Sequence, residues 1–146
     1  DGTGHLLMSP FEDLVKTYYV GRCYNCCEAI IHAANEYYGL NITQEDMKLF
    51  GGFGGGMYSG LVCGNLIASV SVLSKMIIKE SAGKEAADVR PVISSLVRSF
   101  RKQMDGLTCA ELKPKYYSKE DRCLMTVLLS AKVLENCVNE WKESVV

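Results

Sequence analysis

Leu61-Val62-Cys63-Gly64-Asn65-Leu66-Ile67-Ala68-Ser69-Val70-Ser71-Val72-Leu73-Ser74-Lys75-Met76-Ile77-Ile78 is the most apolar stretch of the chain, and its reading decides the fold. Its 18 residues are long enough to cross a bilayer as a helix. Asn65, three serines and Lys75 interrupt it, however, and the short helical patterns on either side offer no second span. Polar and charged groups are costly in lipid. The run therefore reads as a central helix, from Ser59 to about Lys79, wrapped by its neighbours.

Working outward, each flank carries helix punctuation. Ser9-Pro10-Phe11-Glu12 is a capping box with proline at the first helical position, predicting a helix from Pro10 to about Val20 that Gly21 stops. Asn25 caps a second helix, with Ala29, Ile30, Ala33, Ala34 and Tyr37 at helical spacing, and Gly39 ends it. Thr43 opens a short helix to about Phe50, after which Gly51-Gly52-Phe53-Gly54-Gly55-Gly56 reads as a loop. Beyond the central helix, Lys84 to Met104 carries Val89, Val92, Ile93, Leu96, Val97 and Phe100 on one face, with Pro91 tolerable only near the first turn. Thr108-Cys109-Ala110-Glu111 is a second capping box for a brief helix that Pro114 stops. Ser118 caps the last helix, which runs to about Trp141 with Leu124, Val127, Leu128, Ala131 and Leu134 inward. No alternating strand pattern competes. The expected fold is all-α, a compact bundle of four to five longer helices plus one or two short ones.

The chain has 146 residues, enough to bury about 68–70% of its unfolded surface without covalent staples. Residues 9–146 read as a single helical domain. Residues 1–8 read as an added or unstructured start that includes His5, and Asp1 to Leu7 lack the basic start and apolar run of a signal peptide. Sixteen Lys and Arg against 17 Asp and Glu leave a net charge of −1, which gives no electrostatic footprint for nucleic acid or an anionic membrane.

Seven cysteines stand out: Cys23, Cys26, Cys27, Cys63, Cys109, Cys123 and Cys137. An odd count at irregular spacing fits a reducing cytoplasm better than a secreted disulfide framework. Four of them, Cys26, Cys63, Cys109 and Cys123, fall near four helix starts. Unpaired N–H groups and the positive end of the helix dipole stabilise a thiolate there and lower its pKa, so these four are the candidate reactive set. Cys137 lies 14 residues after Cys123, about 21 Å along a helix, too far to share a compact centre, and is assigned to packing. Cys27 points about 100° away from Cys26. Cys23 and Cys26 make a C-x-x-C spacing, which serves a redox dithiol or half a metal site.

In order, Tyr24-Asn25-Cys26-Cys27-Glu28-Ala29, Gly52-Phe53-Gly54-Gly55-Gly56-Met57, Val62-Cys63-Gly64, Thr108-Cys109-Ala110-Glu111-Leu112 and Cys123 resemble the C-GCAxxG-C-C family, small proteins labelled redox-active mainly from their cysteines. The resemblance spans nearly the whole chain and retains all four signature cysteines. It departs at Asn65, where the family pattern carries alanine, and at Ala68, where it carries glycine. A related domain occurs in split-Soret cytochromes, so the resemblance implies an iron–sulfur centre as one possibility. Cys23-Tyr24-Asn25-Cys26-Cys27 has cysteine where c-type haem attachment needs histidine, so covalent haem is not expected.

The chemistry stays open at this level. Cys26, Cys63, Cys109 and Cys123 suit tetrathiolate ligation of a [2Fe–2S] cluster or of zinc, and equally a dithiol–disulfide cycle. Gly54, Gly55, Gly56 and Gly64 are the expected cofactor-lining residues, with backbone N–H groups brought near Cys63 for a sulfur or small anion. The glycine run lacks both G-x-G-x-x-G and the lysine of a P-loop, which argues against a nucleotide. His32 points away from Cys26, and two histidines leave no base for a hydrolase. Glu28 and Glu111 read as cap or surface residues, either able to accept a thiol proton, and Tyr58 stands beside the glycines. The expectation is an oxidoreductase or electron-transfer protein with an unidentified redox partner. The alternative is a non-catalytic helical oligomerisation or interaction module, for example a homodimer, whose cysteines are buried packing.

Overall fold

A computed structural model describes residues 7–21 and 23–146; the expected start, with His5, lies mostly outside the described residues. Seven helices follow one another among the described residues: α1 (Pro10–Gly21), α2 (Cys26–Tyr38), α3 (Gln44–Met47), α4 (Gly64–Ile77), α5 (Ala86–Met104), α6 (Cys109–Tyr116) and α7 (Leu124–Ser144). Five are long, and α3 and α6 are short. The fold is all-α, and no helix among the described residues is long and apolar enough to cross a membrane.

The central run is the hub. α4 packs against α2, α5 and α7, while α1 closes on α2 and α7. Asn65, Leu66, Ala68, Ser69, Val72 and Leu73 of α4 are all buried, so even its polar residues face inward. Buried Ser69 and half-buried Ser71 are each paired within the helix, Ser69 Oγ donating to the Asn65 carbonyl at 2.8 Å and Ser71 Oγ to the Ile67 carbonyl at 2.8 Å. Phe11, Ile30, Leu73, Leu96, Phe100 and Leu134 are fully buried and bring five helices to one core. The Ser9 box at α1 forms in both directions, and Ser9 Oγ also donates to Glu135 at 2.6 Å, tying α1 to α7.

Four boundaries differ from expectation. α4 begins at Gly64 with Cys63 as its cap residue, and Ser59 Oγ turns back to the Met57 carbonyl instead of starting a helix. α7 begins at Leu124 with Cys123 as its cap residue. Ser118 opens only a tight turn, its Oγ accepting from Asp121 N while Ser118 and Arg122 exchange backbone bonds. Pro114 does not stop α6, because proline removes one donor, the one that would reach Ala110, and Tyr117 N still bonds Lys113 at 3.0 Å. α5 starts at Ala86, two residues late, and carries Pro91 at its sixth position.

The glycine run is not a simple loop. A 3₁₀ stretch, Lys48–Phe53, takes in its first two glycines, and a left-handed turn follows with positive φ at Gly55, Gly56, Met57 and Tyr58. Packing requires the small residue at Gly56, since a Cβ there would meet Leu61 N and O at 2.5 Å.

Candidate functional site

The four family cysteines all stand at helix starts, closer to them than the sequence suggested. Cys26 and Cys109 are the first residues of α2 and α6, and Cys63 and Cys123 are the cap residues of α4 and α7. Local chemistry fixes each place. Asn25 accepts from Glu28 N at 3.0 Å while Glu28 accepts from Asn25 N at 3.0 Å, so α2 starts at Cys26. Thr108 and Glu111 form the same reciprocal box, so α6 starts at Cys109. Glu28 and Glu111 thus act as cap partners. The N–H groups of Leu107 and Thr108 hold the Glu111 carboxyl below the usual range.

Three contacts bring the starts together. Residues 61–63 and 107–109 pair as a short antiparallel bridge, with Cys63 N donating to the Leu107 carbonyl at 2.8 Å and Cys109 N to the Leu61 carbonyl at 2.7 Å. That bridge sets the beginnings of α4 and α6 side by side. Gly64 lets α4 approach α2, since a Cβ there would lie 2.6 Å from Phe53 O and 3.2 Å from Cys26 Sγ. Cys123 N donates to Tyr19 Oη at 3.1 Å and anchors α7 to α1, while Arg122 lies over the Tyr19 ring at 4.5 Å.

The result is one cavity of about 40 Å³ lined by Cys26, Cys63, Cys109 and Cys123, with Gly55, Gly56, Gly64, Asn65, Lys113 and Thr126. Its size matters less than its lining. Wider grooves of about 170 Å³ at Pro91, Cys137 and Trp141, and about 820 Å³ along Met76, Glu85 and Trp141, hold one cysteine and none respectively. Gly54 is not on the cavity wall: it packs against Asn25, whose Nδ2 also donates to the Gly51 carbonyl and to Tyr58 Oη. The Gly55 N–H acts on Cys26, not on Cys63 as the sequence suggested. Cys23 is exposed, Cys27 is in the core, Cys137 is buried on α7, and His32 stacks on Tyr24 at 4.1 Å between ring centres.

Lowered thiol pKa values are not what Cys26, Cys63 and Cys123 show. Burial pushes Cys26 up to about 12, with charge on Cys63 and Cys123 adding to the rise against the N–H groups of Gly55 and Cys27. Burial likewise raises Cys63, opposed by the N–H groups of Asn65 and Leu66 and by the Asn65 side chain. It raises Cys123, with Cys109 charge adding and Lys113, Tyr19 and Arg122 opposing. The physical reason is competition: half a charge at a helix start does not offset the cost of desolvating a thiolate beside other sulfurs. Cys26 keeps part of its residue surface exposed, but its sulfur is at the inner wall.

Residues that sequence reasoning missed complete the site. Lys113 is one turn beyond Cys109, Thr126 is three residues beyond Cys123, and Tyr19 and Arg122 back Cys123. Helical spacing from the cysteines signals the first two. Nothing in sequence order joins Tyr19 to Cys123.

A family model described as "Putative redox-active protein (C_GCAxxG_C_C)" matches residues 24–137. The chain belongs to that family. The match begins just before the α2 cap and so contains all four helix starts of the cavity. No curated protein and no solved structure matches the chain. The ligand expectations of the C_GCAxxG_C_C reading meet a geometric limit. Among the described residues, no three His, Cys, Asp or Glu side chains form a group that could hold a metal ion.

Proposed function

We propose that residues 9–146 form one redox domain whose reacting groups are the thiols of Cys26, Cys63, Cys109 and Cys123. The observation that carries this reading is the single cavity that four thiols from four separate helix starts share. An interaction module with structural cysteines would have no need to gather four sulfurs at one place. Oxidation of two of these thiols forms one S–S bond, releases two protons and passes two electrons to an acceptor. With a partner's disulfide as acceptor, one thiolate attacks a partner sulfur and expels the other as a thiolate, and a second site thiolate then attacks this chain's sulfur in the mixed disulfide, closing the internal S–S bond and releasing the partner as a dithiol. Burial keeps the resting sulfurs of Cys26, Cys63 and Cys123 protonated, so their exchange is favoured by alkaline pH or by docking that brings a cation to the cavity. An odd count of seven cysteines at irregular spacing supports a reducing, cytoplasmic setting.

A second reading has its own observation. The cavity is lined by all four cysteines and, at about 40 Å³, is large enough for one or a few small atoms. A [2Fe–2S] cluster takes two ligands on each iron, so it does not need three donors on one point. Cys26, Cys63, Cys109 and Cys123 would hold it, and it would supply one-electron transfer.

Anaerobic purification, with iron, sulfide and zinc analysis and thiol counting before and after oxidation, tests both. A loss of two thiols per chain on oxidation without bound metal supports the first reading. Iron and sulfide in equal amounts support the second. No metal and an unchanged thiol count overturn both.

A further inference from the structure

Asn65 is 1% exposed, and its two polar ends are treated unequally. Nδ2 donates to Cys63 Sγ at 3.4 Å, whereas Oδ1 is buried without a hydrogen-bond partner, and the residue lines the thiol cavity. A buried acceptor left unpaired costs stability, and an apolar residue at this place would avoid that cost. The asparagine is thus explained by what its donor does. Three N–H donors bear on Cys63: the backbone of Asn65 and Leu66 and the Asn65 side chain. Only the last is a side chain. We propose that Asn65 is a positioning residue of the thiol site, its side-chain donor favouring the ionised form of Cys63.

The inference rests on the thiol reading and names which of its sulfurs Asn65 helps to ionise. A hydrogen bond from a neutral donor strengthens when its acceptor gains charge, so the Nδ2 contact is worth more to the thiolate than to the thiol. Cys26 has backbone donors alone, whereas Cys123 has a side-chain hydrogen bond with Tyr19 and the more distant charges of Lys113 and Arg122. Asn65 therefore supplies a preference that helix starts, common to all four, do not.

The test follows isotope-labelled cysteine Cβ signals by NMR through an alkaline titration of the reduced full chain, residue by residue. In Asn65→Ala, and in Asn65→Leu, which keeps the volume, the Cys63 thiolate fraction at a fixed pH is expected to fall about tenfold. The other three site cysteines are expected to move much less, and the unfolding midpoint is not expected to fall in Asn65→Leu. Either variant alone decides. A Cys63 signal that titrates as in the unchanged protein, or an equal shift at all four thiols, overturns the proposal. The titration needs no electron acceptor, so a protein whose thiol count ignores oxidants loses the redox reading while the role of Asn65 is judged separately.

Discussion

Helix α7 carries the same side chain in two settings. Cys123 caps its first turn and shares a cavity with three other thiols, whereas Cys137, buried on the same helix, stands 14 residues on beside Pro91 and Trp141. The regions around them differ in kind. The body is held by large apolar side chains such as Phe100, Leu96 and Leu134, all fully buried. The site end is held by caps, a backbone bridge and glycines at close approach. Position, more than residue type, makes a cysteine a candidate for chemistry: four helix starts converging on one cavity set these thiols apart from the one that fills space.

The largest effect expected from a single change belongs to the body. Phe100→Ala leaves a core cavity and is expected to cost about 3–5 kcal/mol in urea unfolding. The folded fraction is expected to lose the same number of thiols on oxidation as the unchanged protein. If thiol behaviour changed as much as stability, the two regions would not be separable.

Alkaline pH should act on the other side of the comparison. The Cys26 thiol is raised from 9.0 to about 12, so the folded chain holds that proton more tightly than the unfolded chain does. Its contribution is fully present below about pH 9 and is lost as pH rises toward 12, up to roughly 4 kcal/mol for a raise of this size. Unfolding midpoints against pH are expected to fall steeply there, and Cys26→Ser is expected to make the slope shallower. Cys137 is also raised by burial, with Glu140 charge adding. An equal flattening by Cys137→Ser would show that the shared cavity adds nothing special.

Glycine chemistry gives a smaller test of how the site is built. Gly64→Ala places a Cβ 2.6 Å from the Phe53 carbonyl oxygen and 3.2 Å from Cys26 Sγ, so backbone must move. A loss of roughly 1–3 kcal/mol is expected. Gly52→Ala meets nothing within 4 Å and is expected to change little. Thermal unfolding of the two variants in parallel separates a glycine needed for close approach from one that is not.

How much of this was legible in the sequence follows from what each signal encodes. Asn25 with Glu28 and Thr108 with Glu111 are reciprocal boxes closed within four residues, so local order reveals them and places Cys26 and Cys109. Cys63 and Cys123 were harder to place. Their helices start at the cysteines themselves, without a side-chain cap bond, because the bridge to Leu107 and the Tyr19 hydroxyl orient those backbones from afar. Ser59 and Ser118 looked like caps because serine bonds backbone donors or acceptors wherever a turn forms, and each satisfies a turn instead. The rise in thiol pKa was hidden for a similar reason. Helix starts can be read from order along the chain, but desolvation by neighbours distant in sequence cannot.

That contrast between a true cap and a turn supplies the smallest test. Thr108→Ala removes the oxygen that accepts from Glu111 N at 3.1 Å and donates to Glu111 Oε1 at 3.0 Å, and is expected to cost about 1 kcal/mol. Ser118→Ala removes a bond inside an exposed turn and is expected to stay within about 0.5 kcal/mol. Acid should narrow the gap between Thr108→Ala and the unchanged protein. The Glu111 carboxyl is held low by the Leu107 and Thr108 N–H groups, so its contribution is present above the ordinary carboxylate pKa and is lost as pH falls through the lowered one. Urea midpoints of the three proteins at neutral and acid pH measure this directly. Equal costs for Thr108→Ala and Ser118→Ala at neutral pH would mean that α6, and Cys109 with it, is placed by the bridge to Leu61 alone.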